Sequence, residues 1–123
     1  MALKVQTTQI DGVKGETNIW DIDATVAIDP ANDKIWFTAK NKKSDADSEA
    51  VLKYGANVAG LSGITVTDGA LGEFRVTSPG IDTILAPRAL VYDVKVKIAA
   101  ASVLQTVASG TLLLAEATNK DAT

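Results

Sequence analysis

The residues of this chain best suited to chemistry are its carboxylates. Asp45, Asp47 and Glu49 stand at alternate positions in the stretch Asp45-Ala46-Asp47-Ser48-Glu49. Calcium takes clustered oxygen ligands, which makes this stretch a candidate cation loop. It lacks the glycine and the distant bidentate glutamate of an EF-hand loop, so a solvated loop is the preferred reading. Asp21 and Asp23 share the polar face of an alternating run, and Asp29 and Asp33 fall in the turn after it. Paired carboxylates do acid–base work when burial splits their pKa values. No nucleophile or base pattern accompanies these four, and two aspartates are the ordinary outer face of a half-exposed strand. The chain has no cysteine and no histidine. Thiolate nucleophiles, disulfides, Cys-based zinc sites and every Ser-His or Cys-His arrangement are thereby excluded. The expectation is a protein that is not an enzyme, with no catalytic, cofactor-binding or metal-binding residue assigned and no cofactor.

Binding chemistry is also constrained. Fifteen acidic residues against 12 basic ones give a net charge of −3, without the positive surplus that nucleic-acid binding needs. Lys40-Asn41-Lys42-Lys43 is the one basic cluster, short and closely followed by acids. The aromatic residues are Trp20, Trp36, Phe37, Tyr54, Phe74 and Tyr92. A sugar-binding surface stacks carbohydrate on exposed rings, and six rings leave few once a core is filled. Trp20 and Tyr54 are the candidates for exposure, with core or subunit contact the preferred reading on burial tendency, and Trp36 is the candidate core aromatic. The N-terminal Met1-Ala2-Leu3-Lys4-Val5-Gln6-Thr7-Thr8 has no apolar h-region. Thr111 to Ala115 is only a strand long, so no membrane partner is expected.

The elements that must position these residues are strands. Tyr92, Val94, Val96 and Ile98 alternate with Asp93, Lys95 and Lys97, the signature of a half-buried strand. From Ile19 to Ile28, Trp20, Ile22, Ala24, Val26 and Ile28 share one face, and Asp21, Asp23 and Thr25 the other. Ile35 to Lys40 is β-branched and aromatic. Ile64-Thr65-Val66-Thr67 and Glu73-Phe74-Arg75-Val76-Thr77 flank Asp68-Gly69-Ala70-Leu71-Gly72, a hairpin signature. A last pair of strands is expected at Val103 to Val107 and Gly110 to Ala117, with Ser109-Gly110 as a bend, bulge or separator. Asp29-Pro30-Ala31-Asn32-Asp33 is a turn in which Pro30 fixes φ and Asx side chains bond nearby backbone. Ser78-Pro79-Gly80 is another, and Ile81 to Leu85 is one helical turn capped by Asp82 and stopped by Pro87. The chain reads as one all-β domain over residues 1–123, an antiparallel two-sheet immunoglobulin-like β-sandwich of six to eight strands. Residues 1–12 and 116–123 read as terminal arms, with Leu3, Val5 and Ile10 able to add a strand to a neighbour's sheet edge.

The order of segments carries a resemblance. Ile35-Trp36-Phe37-Thr38-Ala39-Lys40 is followed by the charged loop with Ser44-Asp45-Ala46-Asp47, then Ala50-Val51-Leu52-Lys53. Next come Gly63-Ile64-Thr65-Val66-Thr67-Asp68 and Gly72-Glu73-Phe74-Arg75-Val76-Thr77. Asp82-Thr83-Ile84-Leu85 precedes Leu90-Val91-Tyr92-Asp93-Val94-Lys95-Val96, and Leu104 to Leu112 closes the series. From about Glu16 to Thr118 this resembles the immunoglobulin-like domain of tailed-bacteriophage structural proteins, such as the N-terminal domain of baseplate upper proteins. Where that family has a short Asp-Gly turn between its second and third strands, this chain has Asp29 to Lys34. The resemblance implies a virion structural protein, a tail, baseplate or capsid-decoration component made in the host cytoplasm. It implies partners among other virion proteins and copies of itself in a homo-oligomer, and no catalytic residue. The competing expectation is a β-sandwich module that binds host-surface glycan.

Overall fold

The computed structural model describes residues 6–7, 10–13, 17–24, 26–42, 50–78 and 88–115. Nine strand segments run in chain order: β1 (Gln6–Thr7), β2 (Ile10–Val13), β3 (Asn18–Asp23), β4 (Lys34–Lys40), β5 (Leu52–Ala56), β6 (Ile64–Asp68), β7 (Glu73–Ser78), β8 (Arg88–Ile98) and β9 (Val103–Ala115). There is no helix among the described residues. One sheet has the order β9-β8-β4-β5, with β1 and β2 both on the outer side of β9; the other is β3-β7-β6. β1 and β2 hold one continuous register against β9, from Gln6↔Ala108 to Val13↔Ala115. Counted together on that shared register, they bring the strands among the described residues to eight. The chain changes sheet between β2 and β3, between β3 and β4, between β5 and β6, and between β7 and β8, giving the two-sheet immunoglobulin-like arrangement.

Alternation places most of the core. Tyr92, Val94 and Val96 of β8 are buried, and so are Ile35, Phe37 and Ala39 of β4. Phe74 and Val76 of β7 and Trp20 of β3 close the layer from the other sheet. Phe37 lies between two rings, stacked on Trp20 at 5.4 Å and on Tyr92 at 5.6 Å. Each such pair contributes about 0.5–1.5 kcal/mol beyond the apolar area it buries. Tyr54 packs at the edge of this group, 6.0 Å from Phe37, and shares a 2.5 Å hydrogen bond with buried Ser78. Burial pushes the Tyr92 phenol above its ordinary pKa.

Several expectations are corrected. Trp36 is not the core aromatic; Phe37 is, because the pleat sends Ile35, Phe37 and Ala39 inward and Trp36 and Thr38 outward. Trp20 is buried, in keeping with the expectation of a core or subunit contact. The strand expected from Ile19 to Ile28 stops at Asp23; beyond it the chain bonds to the β6–β7 hairpin, Ala24 N–H to Gly72 O and Ile28 N–H to Gly69 O, both at 2.8 Å. The expected last two strands are one, β9, and Ser109-Gly110 lies within it. The irregularity falls at Val107: Val94 faces Ala108 and Lys95 faces Thr106, leaving one extra residue in β9. The first strand joins parallel to β9, since alternation fixes a strand's faces but not its direction. Part of the segment read as an N-terminal arm thus lies on the chain's own sheet. Leu3, Val5, Asp82 and residues 116–123 lie outside the described residues.

Candidate functional site

Two features are built from residues far apart in sequence: a carboxylate that ties two turns together, and a groove on the outer face of the larger sheet.

The turn before β4 is organised by aspartates, as the Asx pattern predicts. Asp29 accepts from Ala31 N–H at 3.0 Å and from Asn32 Nδ2 at 2.8 Å. The Asn32 amide, then the Ala31 N–H, hold the Asp29 carboxyl below the usual carboxylate range. Asp33 is 4% exposed, and its carboxylate accepts Asp29 N–H at 2.8 Å and Ala99 N–H at 2.9 Å. Ala99 follows β8 directly, so one carboxylate joins the β3–β4 and β8–β9 connections. Asn57, after β5, donates from Nδ2 to the carbonyls of Pro30 and Asp33, both at 2.8 Å. Asp33 is therefore structural, with its acceptor atoms committed to backbone.

Asp21 and Asp23 are on the outer face of β3, as expected. Asp21 faces Arg75 across the β3–β7 pair, with Nε to Oδ1 at 2.8 Å. Both side chains are exposed, and the guanidinium hydrogen bond holds Asp21 below the usual carboxylate range. The structure thus separates the four aspartates of the sequence reading: Asp21 and Asp23 on one sheet face, Asp29 and Asp33 in the turn. No group of three or more acidic side chains among the described residues is placed to hold a metal ion. Asp45, Asp47, Glu49 and Lys43 lie outside the described residues.

The groove was not legible beforehand. It has a volume of about 410 Å³ and runs over Trp36 and Thr38 of β4, Lys53 of β5, Asp93 and Lys95 of β8, and Leu104 of β9, with Leu61 at its rim. Register explains the assembly: Trp36 stands between Gly55 and Lys95, and Thr38 between Lys53 and Asp93. Gly55 gives Leu61 its place, because a Cβ there would come within 2.8 Å of the Leu61 Cβ. Leu104 is 56% exposed and pairs with Lys97, which in turn pairs with Lys34. Among the described side chains, Lys34, Lys53, Lys95 and Lys97, with Lys40 at the end of β4, thus share a face with Asp93. The net charge of −3 conceals this basic face.

The other outer face has the opposite character. β3 and β7 turn Asp21, Asp23 and Glu73 outward against Arg75, and Ile19 stands among them 55% exposed. Neither a protein-family model nor a curated protein matches this chain by sequence.

Proposed function

We propose that this protein is a structural component of a tailed-bacteriophage virion, in the tail, the baseplate or the capsid decoration, and that it acts by protein–protein assembly with copies of itself and with other virion proteins. The observation that carries the reading is the distribution of apolar side chains over the outside of the sandwich: Ile19 on the smaller sheet, and Leu104, Leu113 and the groove at Trp36 on the larger. Single exposed apolar residues are ordinary, but a groove that joins Trp36, Leu61 and Leu104 inside a charged rim is the composition of a docking surface. The order of sequence segments resembling virion immunoglobulin-like domains gives that docking its setting. Electron microscopy of purified particles, with the chain labelled, tests it. Density for the chain in repeated copies is expected; particles lacking the chain would refute it.

A second reading, a module binding host-surface glycan, is favoured by one observation: Trp36 lines an open groove beside Asp93 and Thr38, an aromatic with polar partners. Glycan binding that quenches Trp36 fluorescence would support it, and silence across a glycan array would remove it.

A further inference from the structure

The two outer faces of the sandwich are complementary to each other. One carries Lys34, Lys53, Lys95 and Lys97, with Lys40 at one end, against Asp93, around an apolar groove. The other carries Asp21, Asp23 and Glu73 against Arg75, beside one projecting apolar side chain, Ile19. Positive charge is in surplus on the face with the hollow, and negative charge on the face with the knob, where Ile19 stands opposite Thr77 at one end of the acidic row. The geometry points to head-to-tail stacking of copies of this chain: the β9-β8-β4-β5 outer face of one copy meets the β3-β7-β6 outer face of the next, with Ile19 seated in the groove beside Trp36. This rests on the assembly reading above and names its surface.

An anionic polymer would also be drawn to the lysines of this face. A second copy is favoured because the matching acidic face is on the same chain, and because Leu61 and Leu104 offer a polyanion nothing. Such a contact is heterologous: the pair keeps one acidic face unused on one copy and one basic face unused on the other, so stacking continues or closes into a ring. Its size is limited by the smaller sheet. Three strands about 4.8 Å apart and six residues long give a projected face of roughly 300 Å². With side-chain relief, a pair of copies buries on the order of 1,000 Å², the low end for specific interfaces. One contact is therefore weak and salt-sensitive, and an array of them is not.

Sedimentation velocity of the full chain, from micromolar to near-millimolar concentration and at about 0.05 M and 0.5 M salt, tests the inference. The wild type is expected to self-associate at low salt and to lose most of that association at high salt. K53E/K97E reverses the basic face and D21K/D23K reverses the acidic one; each alone is expected to associate at least tenfold more weakly. Mixed in equal amounts they are expected to associate again, which also shows that both are folded. K53Q/K97Q falls between wild type and K53E/K97E, and Ile19→Ser weakens association at unchanged charge. Association that survives both reversals would overturn the stacking while leaving assembly through another surface intact. A wild type that stays monomeric throughout, or a mixture that does not re-form, also overturns it. So does a monomeric wild type that retains a short polyphosphate through the lysines. The assembly reading itself stands or falls separately, on the presence of the chain in particles.

Discussion

Asp33→Ala is expected to destabilise the fold far more than a turn residue ordinarily does. The Asp33 carboxylate accepts the N–H groups of Asp29 and Ala99, at 2.8 and 2.9 Å, from a side chain that is 4% exposed. Hydrogen bonds to a charged acceptor contribute about 1.5–3 kcal/mol each, with the lower figure suited to partly buried pairs. Removing both therefore costs about 3 kcal/mol, from a total that for domains of this size is about 5–15 kcal/mol. With a urea dependence of about 1.5 kcal/mol per molar, the denaturation midpoint should fall by about 2 M. Asp33→Asn is the sharper variant. Its amide oxygen can keep one N–H, but its NH2 then faces the other donor, so about half the loss should remain. Urea denaturation gives the stability, and amide hydrogen exchange shows whether protection falls first at Asp29 and Ala99. If both variants unfold within about 0.5 kcal/mol of wild type, water replaces the carboxylate at no cost and the turn-tying role is refuted.

Other outcomes follow from the packing. Phe37→Ala removes the middle ring of the Trp20–Phe37–Tyr92 stack and should cost about 3–5 kcal/mol in a denaturant titration, whereas Trp36→Ala, on the outer face, should cost less than half of that. Gly72→Ala puts a Cβ 2.1 Å from the Val26 carbonyl oxygen at a φ of 76°, so a loss of more than about 2 kcal/mol is expected by thermal melting. The Tyr92 phenol is raised by burial, so its contribution is complete below the unfolded phenol's pKa and declines as pH rises from there through the higher folded value; Tyr92→Phe should flatten that alkaline decline in melting temperature. The depressed Asp21 and Asp29 carboxyls act in the opposite sense, stabilising above the ordinary carboxylate range and losing that effect as pH falls through their lowered values, which NMR titration of each carboxyl can follow.

The fold was readable wherever pattern and local chemistry agreed. The alternation of Tyr92 to Ile98 gave β8 its two faces, Asp68-Gly69 with Gly72 gave the β6–β7 hairpin, and Asp29 to Asp33 gave the turn. It was misread where several apolar residues run together. Ile35-Trp36-Phe37 does not say which of its two rings faces inward, and only the register with Val96, Lys95 and Val94 decides it. Ser109-Gly110 reads as a break, yet pairing with Tyr92 and Asp93 carries β9 straight through it. The candidate surface was illegible for a related reason. Lys34, Lys53 and Lys97 are each ordinary polar positions on their own strands. They become a basic face only when β5, β4 and β8 stand side by side, and that order is set by chain crossings between sheets rather than by any local motif.

The parallel pairing of the first edge strand with β9 has a mechanical consequence. Because both run in the same direction, Gln6 lies beside Ala108 in the middle of β9, seven residues back along that strand from its end at Ala115. Tension between Gln6 and Ala115 slides β1 and β2 along β9, loading six register pairs together in shear instead of peeling them apart one by one. A sandwich wired in this way resists being pulled out along the axis of that pair.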